Sequence, residues 1–269
     1  MTICETFRNT AIETWGRLSD AKDYKLSLGE ETITDINLLE IAKARHPEIK
    51  IIIKFTRIAE SKNGADWEWW LTGKSGKWLG LRIQAKVINT ENEKYEYLHY
   101  DKGKQTEKLI NKSMKNKDLI PLYCLYTMCD LSQYEDKFAC IYYFGRHDVF
   151  GCSFVDAFVV KNLGDKKHIS HLIQDMIPWH CIFCPFIRQT GDLPERALLI
   201  INRTLQQILQ PNGVEVDEYI KNFTLPDTPP AYVSNLLKHE NSINGIEAPD
   251  NDLAGIVVID EKRKNNDLR

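Results

Sequence analysis

The sequence predicts an α/β (α+β) fold, a mixed sheet flanked by helices with a C-terminal α/β extension. Three observations lead there. Two aromatic-rich, alternating segments flank a six-residue polar turn with two glycines, Thr72 to Lys77, which is the pattern of a β-hairpin. The periodicities of the first half run helix, three strands, helix, strand, an order that points to a mixed core. With 269 residues, 43% of them apolar, the chain has ample material for a buried interior.

The elements follow in order. Cys4 to Asp20 has helical periodicity, and Leu26 to Gly29 interrupts it before a second helix from Glu31 to Arg45. In that second helix Ile33, Ile36, Leu38, Leu39, Ile41 and Ala42 form the apolar stripe, with Glu31 and Asp35 one turn apart on another face. Ile49 to Arg57 is β-branched and interrupted by lysines, a partly buried strand. Asp66 to Leu71 and Trp78 to Val87 are the arms of the hairpin. Lys102 to Lys117 is a basic amphipathic helix and Ile120 to Tyr126 a buried strand. Beyond it, strands are expected at Phe138 to Phe144 and Ser153 to Val160, and helices at Lys166 to Met176 and Glu195 to Gln210. A proline-rich connection spans Pro226 to Pro230. The organisation read from this is an N-terminal helix (residues 1–23), a core (24–130), an α/β extension (131–240) and a polar tail (241–269). The tail holds one short apolar run, Ile256 to Ile259, and is expected to be flexible or to dock on a partner.

Composition narrows the function classes. Thirty-five basic against thirty-eight acidic residues give a net charge of −3, so a polyanion would be gripped by a local patch rather than by bulk charge. No apolar run approaches the roughly 18 residues that span a bilayer, and no basic-then-apolar leader opens the chain. Seven dispersed cysteines, mostly within apolar stretches, do not resemble a secreted disulfide framework. A cytoplasmic protein with reduced thiols and no membrane association is expected.

The chemistry-bearing constellation lies on the hairpin. Residues i and i+2 of a strand share a face, so Asp66 and Glu68 are expected opposite Trp67 and Trp69, and Gln84 and Lys86 opposite Ile83, Ala85 and Val87. A hairpin symmetric about Ser75 sets Asp66 across from Gln84. A carboxylate, an amide and an ammonium brought together suit metal-assisted phosphodiester hydrolysis. Asp66 can ligate Mg²⁺ or Mn²⁺, which typically uses only one or two protein carboxylates, and Gln84 can add its side-chain carbonyl. Lys86 can orient a water or stabilise pentavalent charge. The bland alternative is a solvated hairpin face with the tryptophans packed behind it.

Gly64-Ala65-Asp66 on one strand followed by Gln84-Ala85-Lys86 on the next resembles the active-site motif of the PD-(D/E)XK nuclease superfamily. The resemblance is to its Mrr-like branch, in which Gln replaces the usual Glu to give Q-x-K; Ala65 stands where Pro is common. The stretch Gly64 to Trp70 also resembles an uncharacterised bacterial family with a G-A-D-W-E-W-W signature. The resemblance implies an α-β-β-β-α-β core and a metal-dependent endonuclease acting in bacterial anti-phage defence or a toxin system, on DNA in preference to RNA. It further implies a helper carboxylate on the helix before the sheet, carried over to Glu31, with Glu60 as a second candidate. A neutralising or activating protein partner and a homodimer are compatible with it.

Other features weigh less. Lys104, Lys108, Lys112 and Lys115 recur along one face of their helix and are the candidate nucleic-acid contacts, against the ordinary reading of a wet helix face. His180-Cys181-Ile182-Phe183-Cys184 has half the spacing of a zinc site, but its bulky interior and flanking prolines read as buried packing, and zinc is not expected. Two other classes stay open. One is an NAD-dependent ADP-ribosyltransferase toxin with Trp67 to Trp70 or His99-Tyr100 lining a nicotinamide pocket. The other is an inactive nucleic-acid or partner-binding subunit.

Overall fold

The computed structural model describes residues 1–55, 66–116, 119–137, 145–184, 191–209, 222–239, 249 and 252–261. Seven strands form one mixed sheet: β1 Ile49–Lys54, β2 Asp66–Thr72, β3 Trp78–Val87, β4 Leu119–Tyr126, β5 Cys152–Asp156, β6 Ile177–Pro178 and β7 Leu253–Asp260. Six helices are present among the described residues: α1 Ile3–Asp23, α2 Glu30–Lys43, α3 Lys104–Asn116, α4 Ala157–Asn162, α5 Leu193–Leu209 and α6 Ala231–Lys238. The fold is α/β, and α2, β1, β2, β3, α3 and β4 succeed one another in the predicted order. No helix among the described residues is long and apolar enough to cross a membrane.

Local chemistry explains the helix starts. Thr2 and Glu5 form a reciprocal capping box, Glu5 N–H donating to Thr2 Oγ1 at 3.2 Å and Thr2 N–H to Glu5 Oε2 at 2.7 Å. Helix α2 has Gly29 at its N-cap and no side-chain cap; Glu30 and Glu31 instead put negative charge in its first turn, where the helix dipole favours it. In the β2–β3 turn Gly76 adopts φ +78°, a left-handed conformation that glycine takes without steric cost.

The strand order β1-β7-β2-β3-β4-β5-β6 corrects the reading of the tail. Leu253–Asp260 is neither loosely held nor set aside for a partner. It is buried in the sheet between β1, to which it is antiparallel, and β2, to which it is parallel. Its apolar residues divide between the two sheet faces, Val257 and Ile259 in the larger core cluster and Ile256 and Val258 in the smaller one. On the first face Trp67, Trp69, Leu71, Leu81 and Ile83 meet α1 and α5, with Phe7 of α1 edge-on to Trp69 at 5.5 Å. On the opposite face Trp70 and Ile256 pack with Val233 and Leu236 of α6. Gly255 is needed in β7, because a Cβ there would lie 2.3 Å from the Ile53 carbonyl oxygen and 2.4 Å from the Trp67 ring.

The second half departs from its predicted elements at three places. The expected strand Ser153 to Val160 stops at Asp156, whose carboxylate accepts the Phe158 N–H at 2.6 Å and caps α4. The expected helix Lys166 to Met176 is two short 3₁₀ turns, Ile169–His171 and Ile173–Asp175, the first capped by His168. The expected strand at 138–144 lies outside the described residues. Cys4 and Cys184 form a disulfide with Cα atoms 5.1 Å apart, which corrects the reading of those two thiols as reduced. Packing of α1 against the turn Trp179–Phe183 brings the two residues together. Cys124, Cys129, Cys152 and Cys181 are buried thiols outside this disulfide.

Two stability measurements follow. Gly255→Ala should destabilise the fold by about 1–3 kcal/mol through overpacking, lowering the thermal midpoint by about 2–4 °C per kcal/mol; an unchanged midpoint would contradict a central β7. Buried Asp175 has an unpartnered Oδ1, and burial pushes its carboxyl up to about 7 from 3.8. The fold therefore favours the protonated acid. Its stability contribution is fully present below about pH 4 and is lost as pH rises to about 7. Asp175→Asn should flatten that part of a denaturant-midpoint-versus-pH curve.

Candidate functional site

One end of the sheet gathers the sequence-predicted residues. β2 and β7 run parallel and begin there, while β3 and β4, also parallel to each other, end there. Every β2–β3 pair, from Thr72 with Trp78 to Trp67 with Ile83, is symmetric about Ser75. The paired register ends one residue short of Asp66 and Gln84, and the β2–β7 register shifts between Asp66 and Trp67. Asp66 itself pairs with Leu253 of β7. Across the other edge of β3, Gln84 aligns with Tyr123 and Lys86 with Leu125.

Gln84 and Lys86 are buried, at 2% and 4% exposure. Lys86 Nζ lies 3.7 Å from Glu30 Oε1, an ion pair with its cationic partner almost wholly covered. Burial makes this pairing consequential, because an isolated ammonium in the interior is strongly disfavoured. Glu30 is thus a carboxylate that reaches Lys86, and its neighbour Glu31 is exposed on the same turn. An α-helix rotates about 100° per residue, so adjacent side chains cannot share one direction. Glu30 was the residue sequence reasoning missed; its signal was Gly29, the N-cap, which makes Glu30 the first helical residue. Glu60 lies outside the described residues.

Glu68 is committed elsewhere. Its Oε1 accepts from Arg82 at 3.1 Å with both side chains about 2% exposed or less, and its Oε2 accepts from Trp70 Nε1 at 3.2 Å and from the Tyr232 hydroxyl of α6. Burial first, and then the neighbouring carboxylate, push the Tyr232 phenol upward, so it stays a donor. This network ties α6 to the hairpin and occupies both oxygens of Glu68, which is thereby a structural residue rather than a stand-in metal ligand.

Helix α3 lies on the Gln84 side of the sheet, with Thr106 Oγ1 2.8 Å from the hydroxyl of Tyr123. Thr106, Leu109, Ile110 and Ser113 are buried, as the amphipathic pattern predicts. The lysine face borders an open groove of about 380 Å³ lined by Lys104, Glu107, Lys108, Asn111, Lys112 and Lys115. Its charge is partly met within the chain: Lys104 lies 3.3 Å from Asp101, and Lys108 and Lys112 both contact Asp252, Lys108 at 2.6 Å. Partial burial pushes the Asp252 carboxyl up, but hydrogen bonds from the two lysines outweigh it and the net direction is down.

The other features resolve differently. Cys184 is bonded to Cys4, and His180, its imidazole pushed down to about 4 by burial, lies next to Cys181 with Nε2 to Sγ at 3.9 Å. Trp67, Trp69 and Trp70 are buried in the core and line no accessible surface. Among the described residues no three His, Cys, Asp or Glu side chains converge as a metal cluster.

Fold and site together define an α/β protein with a buried polar row at one end of its central sheet and a lysine-lined groove beside it. The chain belongs to DUF6615, a family of unknown function, which it matches over residues 3–265, from α1 through β7. Neither the curated proteins nor the solved structures contain a match to it.

The Glu68–Arg82 pair makes a stability prediction. Arg82→Ala or Glu68→Ala should each cost about 3–5 kcal/mol, since each leaves an uncompensated buried charge. The double change Glu68→Leu with Arg82→Met should cost less than either single change in urea unfolding; an additive loss would contradict the assignment.

Proposed function

We propose that this protein is a metal-dependent nuclease that hydrolyses nucleic-acid phosphodiesters, with Asp66, Gln84 and Lys86 as its central residues. The observation that supports the reading is the hairpin register, whose last pair, Trp67 with Ile83, directly adjoins Asp66 and Gln84, with a buried lysine paired to a helix carboxylate two residues beyond Gln84. Bacterial defence or a toxin system is the context the motif resemblance suggests.

The donor chemistry fits a hard divalent cation, since Asp66 and Gln84 offer oxygen ligands. Mg²⁺ or Mn²⁺ held by Asp66 and Gln84 would neutralise phosphate charge and lower the pKa of a bound water. The protein's own residues supply the rest. Lys86 sets a fixed positive charge where negative charge develops on the phosphoryl oxygens, in a site with little water to screen it. Glu30 holds that ammonium in place across 3.7 Å. The α3 lysines bind the phosphate backbone and align it along the sheet end, a contact that weakens with salt.

The roles separate experimentally. Asp66→Ala and Lys86→Ala should lower Mg²⁺-dependent cleavage of a mixed DNA and RNA panel by at least about 10³-fold, a loss of roughly 4 kcal/mol of transition-state stabilisation, with the thermal midpoint of a folded protein retained. Glu30→Gln should cost more activity than Glu31→Gln. Undiminished cleavage by the folded double variant Asp66→Ala, Lys86→Ala would overturn the site. Turnover that needs NAD and no metal would replace the reaction class.

A further inference from the structure

We infer that Asp252 is a built-in competitor for the α3 groove: its carboxylate occupies the place of a backbone phosphate between Lys108 and Lys112, and a nucleic-acid strand must displace it to bind. The inference rests on the proposed nucleic-acid role of the groove, but not on cleavage at Asp66.

The geometry is specific. Both ammonium groups converge on the same oxygen, Asp252 Oδ2, as they would on one non-bridging phosphate oxygen. Lys108 and Lys112 are one helical turn apart, so their side chains share a face and can share an anion. The contact is not locked in the core: Lys108 is 54% exposed and Asp252 28%, and a carboxylate held by partly exposed lysines is screened and readily exchanged. Exchange for phosphate leaves both lysines paired, one anion taking the place of another. Among the described residues, the carboxylates beside the row also include Glu107, on α3 itself, and Asp101, beside Lys104.

Location gives the contact a consequence. Asp252 immediately precedes Leu253, the β7 residue that pairs with Asp66. A strand that takes over Lys108 and Lys112 is therefore laid beside the start of β2. An acidic residue set there also accounts for how a chain of net charge −3 could carry a basic groove without binding every polyanion tightly.

The test measures binding of the full chain to a 5′-labelled single-stranded DNA by fluorescence anisotropy in EDTA, across a salt titration. Asp252→Asn should bind about three- to tenfold more tightly than wild type at low salt, with a steeper salt dependence approaching the ~0.7 per phosphate expected for one more contact on a single strand. Asp252→Glu, which keeps the charge, should behave like wild type, and Lys108→Ala with Lys112→Ala should bind more weakly. If the lysine double variant loses affinity while Asp252→Asn binds no better than wild type, the competitor role is overturned and the groove stands. If neither wild type nor Asp252→Asn binds, the nucleic-acid reading of the groove falls and takes the competitor with it. A wild-type measurement guards against a folding artefact: amide exchange in a peptide spanning Asp252 should accelerate when the DNA is bound. Unchanged or slowed exchange would overturn displacement.

Discussion

The parallel pairing of β7 with β2 is the constraint on which the architecture turns. A parallel pair cannot be closed by a tight turn, so the chain must travel from Thr72 through β3 to β6, α5 and α6 before β7 can lie beside β2. That long return fills the space between β1 and the hairpin, supplies apolar side chains to both cores through Ile256 to Ile259, and delivers Asp252 to the lysine face of α3. Gly255 is the local condition for it, because the Trp67 ring and the Ile53 carbonyl leave no room for a side chain.

Around this frame the polar residues fall into two kinds. Glu68, Arg82, Trp70 and Tyr232 form a closed network in which each group finds its partner, and its consequence is to fasten α6 to the hairpin. Gln84, Lys86 and Glu30 form a second group at the sheet end, where a buried ammonium lies 3.7 Å from a partly exposed carboxylate. Glu68, two register steps from Gln84 on the neighbouring strand, is assigned to structure, and Gln84 to the proposed chemistry.

Much of this was legible in the sequence because it is local. The alternation on either side of Thr72 to Lys77 defined both hairpin arms and their symmetry about Ser75, and lysines at helical spacing defined the wet face of α3. What escaped was non-local or depended on a single cap. A four-residue apolar run, Ile256 to Ile259, carries no information about its partners, since the pairing with β1 and β2 is a long-range contact. The Cys4–Cys184 bond closes 180 residues, and the Asp252 contact with Lys112 spans 140. Asp156 ended a β-branched run that reads as continuous strand, and Gly29 set the start of α2 one residue earlier, at Glu30, which lies 3.7 Å from Lys86.

The account centres on one divalent ion shared by residues from two strands, and anomalous scattering from a crystal soaked in Mn²⁺ tests it most directly. The expected result is a peak at the sheet end, about 2.0–2.3 Å from oxygen atoms of both Asp66 and Gln84. A peak elsewhere, or full soaking with no density between those two residues, would contradict it.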